Sequence, residues 1–158
     1  MPWTLIISRA DGDPLGAIDR VRAVIEERLP GTRFWRNPSG AAKLAVMEKR
    51  GVAILPELRQ TFCNLPADER GRYDSGGISL EFFLSADPTV ESITTDVRGG
   101  GDPIPTLRRL CEPDGWQVRE LSGAAVDLRA DDAGAGWIGF TRYRDKGVEE
   151  IKKRDTDL

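Results

Sequence analysis

Residues 9–20 read RADGDPLGAIDR, and residues 98–109 read RGGGDPIPTLRR. Both stretches fit the pattern Arg-x-x-Gly-Asp-Pro-apolar-x-x-apolar-x-Arg, with a strand pattern before each copy and a helical apolar pattern after it. The aspartate of each copy stands where an N-cap carboxylate would, and the proline where a missing N–H costs nothing (Asp13-Pro14 and Asp102-Pro103). The repeat therefore predicts two strand-to-helix corners that organise the fold.

Each predicted helix carries one apolar stripe at spacings of three and four residues. A turn signal ends each helix, and a short strand pattern follows at residues 32–35 and 116–119. The chain thus contains two predicted β-α-β units. The stripe members are Leu15, Ile18, Val21, Ile25 and Leu29 in the first copy and Ile104, Leu107, Leu110 and Cys111 in the second.

Residues 40–75 have no counterpart in the second copy, so they form an insertion. The patterns predict one helix that starts near Ala41 and ends at Gly51, a short helix over residues 56–62, and a loop over residues 65–77.

The remaining strand patterns complete the predicted fold. Residues 4–7 are almost continuously apolar, which predicts a central strand buried on both faces. Residues 78–84 and 89–98 predict a hairpin, and residues 124–128 a last strand. We expect a single α+β domain over residues 1–158: a ferredoxin-like sandwich of two β-α-β units with a helical insertion and a mainly antiparallel sheet.

Residues 130–158 form a tail whose order the sequence leaves open. Residues 130–136 are rich in Gly and Asp, which is typical of a mobile segment. Residues 137–143 alternate in a way that predicts an edge strand, and residues 147–153 predict a short charged helix.

Composition excludes several classes of function. The net charge is −3 with Lys and Arg spread along the chain, which disfavours nucleic acid as a partner and favours a basic one. The chain has no histidine, which excludes Ser-His-Asp and Cys-His catalysis, and Cys63 and Cys111 are too far apart in sequence for a Cys-x-x-Cys site. No metal or cofactor is predicted. Because no stretch reaches the roughly 18 apolar residues of a membrane helix, we expect a cytoplasmic protein with reduced thiols.

The two corners offer a candidate anion site. If the strands before them are parallel neighbours, both corners emerge at one end of the sheet, where arginines and helix N-termini attract a phosphate or carboxylate. Against this, Asp13 and Asp102 already fill the anion position, and the glycines match neither a dinucleotide-binding nor a P-loop motif. The favoured interpretation is structural, with each arginine pairing a nearby carboxylate. The ligand-binding residues of the alternative are Arg9, Gly12, Arg98, Gly99, Gly100 and Gly101.

The aromatic residues predict an interaction surface. Phe82 and Phe83 face opposite sides of a strand, so at least one needs a cover from the inserted helices, the tail or a second chain. Carboxylate groups such as Asp131-Asp132 and Glu149-Glu150 are interpreted as solvated rather than catalytic. The predicted partner-binding residues are Phe83, Trp137, Phe140 and Tyr143.

The segment from Val97 to Cys111, continuing to Gly115-Trp116, resembles a pattern in small uncharacterised bacterial proteins, some of which are similar to immunity proteins of toxin systems. The match covers about a quarter of the chain and contains no catalytic motif. The resemblance implies a non-enzymatic protein whose acidic surface suits a basic toxin domain.

Two hypotheses of function follow. The first is a non-enzymatic protein-binding module, of the immunity or antitoxin-like kind, that masks a basic partner. The second is a domain that binds a small anion, or acts on it, with the two Arg-x-x-Gly-Asp-Pro corners. The sequence also allows a homo-oligomer.

Overall fold

The computed structural model describes residues 2–156. Its strands are β1 (Trp3–Ser8), β2 (Gly16–Ala17), β3 (Arg33–Asn37), β4 (Asp68–Ser75), β5 (Ile78–Ser85), β6 (Thr89–Val90), β7 (Ile93–Gly99), β8 (Gln117–Glu120) and β9 (Ala125–Val126). Its α-helices are α1 (Ile18–Arg28), α2 (Gly40–Lys49), α3 (Pro56–Phe62), α4 (Ile104–Cys111) and α5 (Ala135–Thr156).

The described residues form one seven-stranded sheet in the order β3-β4-β5-β7-β1-β8-β9, and β2 pairs separately with β6. All of these neighbouring strands are antiparallel. The predicted α+β class with a mainly antiparallel sheet is therefore confirmed, as is the hairpin of β5 and β7.

β1 lies in the sheet between β7 and β8, and its residues alternate between a buried and a half-buried face. Leu5 and Ile7 are fully buried and join the core cluster together with apolar residues of α1 and α4. The two helices lie side by side, and the Arg28 guanidinium donates to the Leu110 carbonyl over 2.8 Å. The prediction of a strand buried on both faces is wrong, because these helices cover a single face of the sheet.

The apolar stripes of both predicted helices are confirmed. Val21, Ile25, Leu107 and Leu110 are at most 1% exposed. α4 connects β7 to β8, which flank β1 and run parallel to each other, whereas α1 leads from β1 to β3 at the edge of the sheet.

The two helix starts differ in their capping. At α4, Asp102 Oδ1 accepts the Ile104 N–H over 3.0 Å, which satisfies one of the free donors of the first turn. α1 begins only at Ile18, because Gly16 has a φ of +134° and pairs with β6 before the helix starts. The prediction that Asp13 caps α1 is therefore wrong.

The inserted helices are confirmed as α2 and α3, but the loop predicted over residues 65–77 is wrong, because most of it is β4. This strand is almost entirely polar, and several of its side chains form ion pairs: Arg36 lies 3.1 Å from Glu69, and Arg72 lies 3.0 Å from Asp74. The buried side chain of Tyr73 marks the face of β4 that packs against the core.

The edge strand predicted over residues 137–143 is also wrong, because these residues belong to α5. The same helix contains the predicted charged helix over residues 147–153. The mobility of residues 130–136 stays a prediction, and the end of the tail, residues 157–158, lies outside the described range. Across residues 2–156, the helices are too short or too polar to cross a membrane.

Candidate functional site

The two Arg-x-x-Gly-Asp-Pro corners lie at opposite ends of the sheet. β1 and β7 are antiparallel neighbours, with Ile7 opposite Ile93 and Trp3 opposite Val97. Arg9 therefore follows one end of this pair and Arg98 lies at the other, roughly 20–25 Å away at about 3.3 Å per strand residue. The expectation of a shared end is wrong, because the strands before the two corners run in opposite directions.

The first corner is closed by its own polar groups. Arg9 forms a 2.7 Å ion pair with Asp11, and the Gly12 N–H donates to the Arg9 carbonyl over 3.3 Å. The Asp13 N–H donates to Asp11 Oδ1 over 3.0 Å. This backbone donor, with Arg9 beside it, holds the pKa of Asp11 below its ordinary value. The Asp11 carboxylate is thus the anion that the Arg9 guanidinium and the Asp13 N–H bind at this corner.

The glycine run of the second corner fits against the β4–β5 turn. Gly99 has a φ of +107°, and a Cβ there would lie 2.1 Å from the Gly77 carbonyl oxygen. The N–H groups of Gly100 and Gly101 donate to the same oxygen over 3.1 and 3.2 Å. The close approach that glycine permits is therefore made by another part of this chain.

α5 occupies the remaining polar groups of the second corner. Trp137 Nε1 donates to the Gly101 carbonyl over 2.8 Å, and the Arg144 guanidinium donates to the Gly99 carbonyl over 2.9 Å. Arg98 is exposed and lies outside these contacts. The structure thus gives this corner a role in docking α5.

The four predicted partner-binding aromatics have different environments. Trp137 is only 4% exposed, and it packs with Phe140 and Trp3 at ring-centroid distances of 5.7 Å in both cases. Tyr143 is 73% exposed. Phe83 is half-buried on the sheet face opposite Phe82. Trp137 and Phe140 therefore pack α5 against the core, whereas the half-buried Phe83 and the exposed Tyr143 lie outside the core cluster.

The inserted segment carries many exposed apolar side chains. Within residues 40–67, seven large apolar side chains are each at least 41% exposed, and none of them belongs to the core cluster. Monomeric proteins rarely leave so many large apolar side chains uncovered in one short segment. We call these residues the hairpin surface: Val46, Met47, Val52, Leu55, Leu58, Phe62 and Leu65.

α2 and α3 form an antiparallel pair, the α2–α3 hairpin, which is held at both ends. The Ser39 hydroxyl caps α2 by accepting the Ala42 N–H over 3.2 Å. Gly40 packs directly against the backbone of Phe62, and its N–H donates to the Leu65 carbonyl over 2.8 Å. Toward the other end, Glu48 of α2 forms an ion pair with Arg59 of α3. These contacts fix the hairpin surface without burying it.

A groove of about 540 Å³ separates the hairpin from the open face of the sheet. Phe62 and Leu65 line one wall, and Phe83 lies on the sheet side with the Arg70 guanidinium carbon 4.7 Å from its ring centroid. Arg70 is itself held by Asp68, 3.2 Å away. The groove therefore joins Phe83, which the sequence predicted as a contact residue, to the hairpin surface.

The charges on the hairpin differ in sign from those of the chain as a whole. Residues 40–67 carry four cationic and two anionic side chains, a net charge of +2, whereas the whole chain carries −3. Glu48 and Arg59 pair with each other. The exposed Lys43, Lys49 and Arg50 form no ion pair with any residue of the range 2–156.

A second cleft, of about 850 Å³, lies between α4, α5 and the loop before α5. Its arginines already have partners. Arg108 donates to the Leu128 carbonyl over 3.0 Å, Arg129 pairs with Glu112 at 2.6 Å, and Arg144 pairs with Asp145 at 3.2 Å. In residues 2–156, no three Cys, Asp or Glu side chains are grouped so that they could hold a metal ion. The hairpin surface is therefore the better candidate for a functional site.

The two thiols provide a probe of this site. Cys63, at the C-terminal end of α3, is exposed, whereas burial raises the pKa of Cys111 to about 12. At pH 8 we expect a disulfide reagent such as DTNB to modify one thiol of the folded protein and both after denaturation, because the thiolate is the reacting species. Reaction of the second thiol in native buffer at a similar rate would contradict the burial of Cys111.

Sequence reasoning located the inserted helices but missed their exposed surface. The sequence contains a pattern that indicates this surface. Leu55, Leu58 and Phe62 recur at helical spacing in an insertion that lies outside the two repeated units. A sequence cannot show whether another layer of the fold covers such a face. Comparison with protein-family models, with curated proteins and with solved structures finds no match for the chain.

Proposed function

We propose that this chain is a non-enzymatic protein-binding module of the immunity or antitoxin-like kind, which masks another protein with its α2–α3 hairpin. The observation that carries the proposal is the hairpin surface, seven large apolar side chains exposed on and beside α2 and α3. Removing such apolar side chains from water is a favourable term in the association of two proteins.

The position of the hairpin supports the same function. It is inserted between β3 and β4, and its apolar residues lie outside the core cluster. The fold can therefore keep its core while this segment contacts a partner. Phe83, across the groove, adds a second apolar contact on the sheet.

The alternative, an anion site built from both corners, requires Arg9 and Arg98 to act together. Their placement at opposite ends of the β1–β7 pair removes that arrangement. We therefore retain the protein-binding function alone.

The finer description of the fold is also a proposal, with β5, β7, β1 and β8 as a ferredoxin-like core. Its support is the strand order within the sheet and the side-by-side packing of α1 and α4. On this view β3 and β4 extend the core at one edge, which is where the hairpin is inserted.

A photo-crosslinker attached to Cys63 tests the protein-binding function. In an extract of source cells, we expect the labelled protein to form a discrete adduct with another protein. Leu58→Asp should reduce its yield about tenfold or more, because a charge in the centre of an apolar contact is not compensated. Ile151→Asp, the same kind of change at a 60% exposed position of α5, should leave the yield unchanged. Absence of any adduct, or equal loss in both variants, would rule out the hairpin as the binding surface.

A further inference from the structure

The partner-facing surface has a definite chemistry because its apolar centre is flanked by unpaired cations. Lys43 lines the groove beside Phe62 and Leu65, and Lys49 and Arg50 follow at the other end of α2. Each is exposed. An occupant of this surface therefore meets positive charge at both ends of the apolar contact.

Helix stability does not account for Lys43. Cations near a helix C-terminus, such as Lys49 and Arg50, stabilise the helix through its dipole, but Lys43 lies in the first turn, where a cation is unfavourable. No acidic residue in that turn offsets it. The charge at this end is better explained by something that binds there.

The same charges exclude other occupants. A second copy placed face to face would bring two surfaces of net charge +2 together, and a basic partner segment would be repelled in the same way. The exposed end of α5, residues 145–156, carries Val148 and Ile151 but equal numbers of acidic and basic residues, so it offers no complementary charge.

We propose that the hairpin surface binds an acidic amphipathic helix of another protein. Leu58 and Phe62 lie four residues apart on one face of α3, and Leu55 precedes the helix as its N-cap residue; exposed apolar side chains in this arrangement favour packing against a third helix. α2 has 10 residues and is about 15 Å long, so the bound helix spans about three turns. This inference rests on the proposed protein-binding function. It concerns the contacted helix, so a partner that is basic overall is compatible with it.

A displayed library tests the charge of the bound helix. The library consists of helical peptides of about 14 residues, with leucine fixed on one face and Glu or Lys allowed at each flanking position. Selection on the wild-type protein should enrich Glu over Lys. Resynthesised Glu-faced peptides should bind about tenfold more tightly than their Lys-faced counterparts at low salt, with the difference shrinking as salt is added. The triple variant Lys43→Glu, Lys49→Glu, Arg50→Glu should reverse the preference.

Leu58→Asp separates the failure of this inference from that of the proposed function. Suppose that peptides bind the wild type and not this variant, but show no preference for Glu or prefer Lys. That result would overturn the acidic helix as the occupant and leave the protein-binding function in place. If selection on the wild type enriches the same peptides as selection on Leu58→Asp, the hairpin surface is not the binding surface and the proposed function is wrong. A dimer in light scattering that Leu58→Asp dissociates would overturn the inference in favour of a second copy. Far-UV circular dichroism checks that each variant is folded, as expected for exposed positions.

Discussion

Replacing Trp137 with alanine is expected to lower the free energy of unfolding by about 3–5 kcal/mol, the range for removing a large buried aromatic side chain. The indole is only 4% exposed, lies 5.7 Å from the Trp3 ring, and stacks on Phe140 at the same distance. Its Nε1 also donates to the Gly101 carbonyl, so truncation removes a hydrogen bond from the second corner. The loss should appear in urea unfolding and as faster amide exchange in the first half of α5.

Two further variants test this explanation. Trp137→Phe keeps much of the packing and loses the hydrogen bond, so it should fall between the wild type and Trp137→Ala. Tyr143→Ala, on the same helix but 73% exposed, should change the free energy of unfolding by less than about 0.5 kcal/mol. Equal effects at Trp137 and Tyr143 would contradict the docking of α5 through its buried face.

The same residues show why the sequence pattern predicted a strand here. Between Trp137 and Tyr143, glycine, aromatic and polar residues alternate, which resembles the two-residue period of a strand. Gly136, Gly139 and Gly147 also weaken the helical propensity. Tertiary contacts decide the outcome, because a helix places Trp137, Phe140 and Arg144 on one side, where they contact the core and the second corner.

Elements with local signals were predictable, and relations between distant strands were not. The stripes of α1 and α4 follow from helical spacing alone, and the Asp102 cap follows from its position before Pro103 and Ile104. The opposite placement of the two corners depends on which strands become neighbours and in which direction. That depends on pairing across about 90 residues, from Ile7 to Ile93, which the pattern around each corner does not encode.

The side chains of β4 also did not identify it as a strand before its neighbouring strands were known. Its sequence, DERGRYDS, reads as a polar loop, although its cross-strand neighbours include Phe34, Leu80 and Phe82. Gly71 is buried, and a Cβ there would lie 3.0 Å from the Phe34 ring, so this glycine makes room for Phe34 rather than a turn. A glycine in a polar segment indicates a loop until the partner strand is known.

Gly40→Ala is expected to open the α2–α3 hairpin without disturbing the sheet. A Cβ on Gly40 would lie 1.6 Å from the Phe62 carbonyl oxygen and 2.7 Å from its carbonyl carbon, and backbone atoms cannot rotate away as a flexible side chain can. We expect a local cost of at least about 1–3 kcal/mol, the usual range for overpacking. Because the apolar residues of the hairpin lie outside the core cluster, amide exchange should accelerate in α2 and α3 while β1 and β7 stay protected. Peptides selected for the hairpin surface should bind more weakly.

Gly139→Ala is the matched control for this prediction, because it makes the same chemical change in a helix where a Cβ would have no neighbour within 4 Å. It should stabilise α5 by up to about 1 kcal/mol, since alanine is the better helix former. Opposite signs at the two glycines would show that close backbone contact, rather than helix propensity, sets the position of α3. Undiminished protection of α2 and α3 in Gly40→Ala would mean that the hairpin is not held by this contact. The geometry of the proposed binding surface would then depend on the other contacts of the hairpin, which are the Glu48–Arg59 pair, the Ser39 cap and the backbone hydrogen bond to the Leu65 carbonyl.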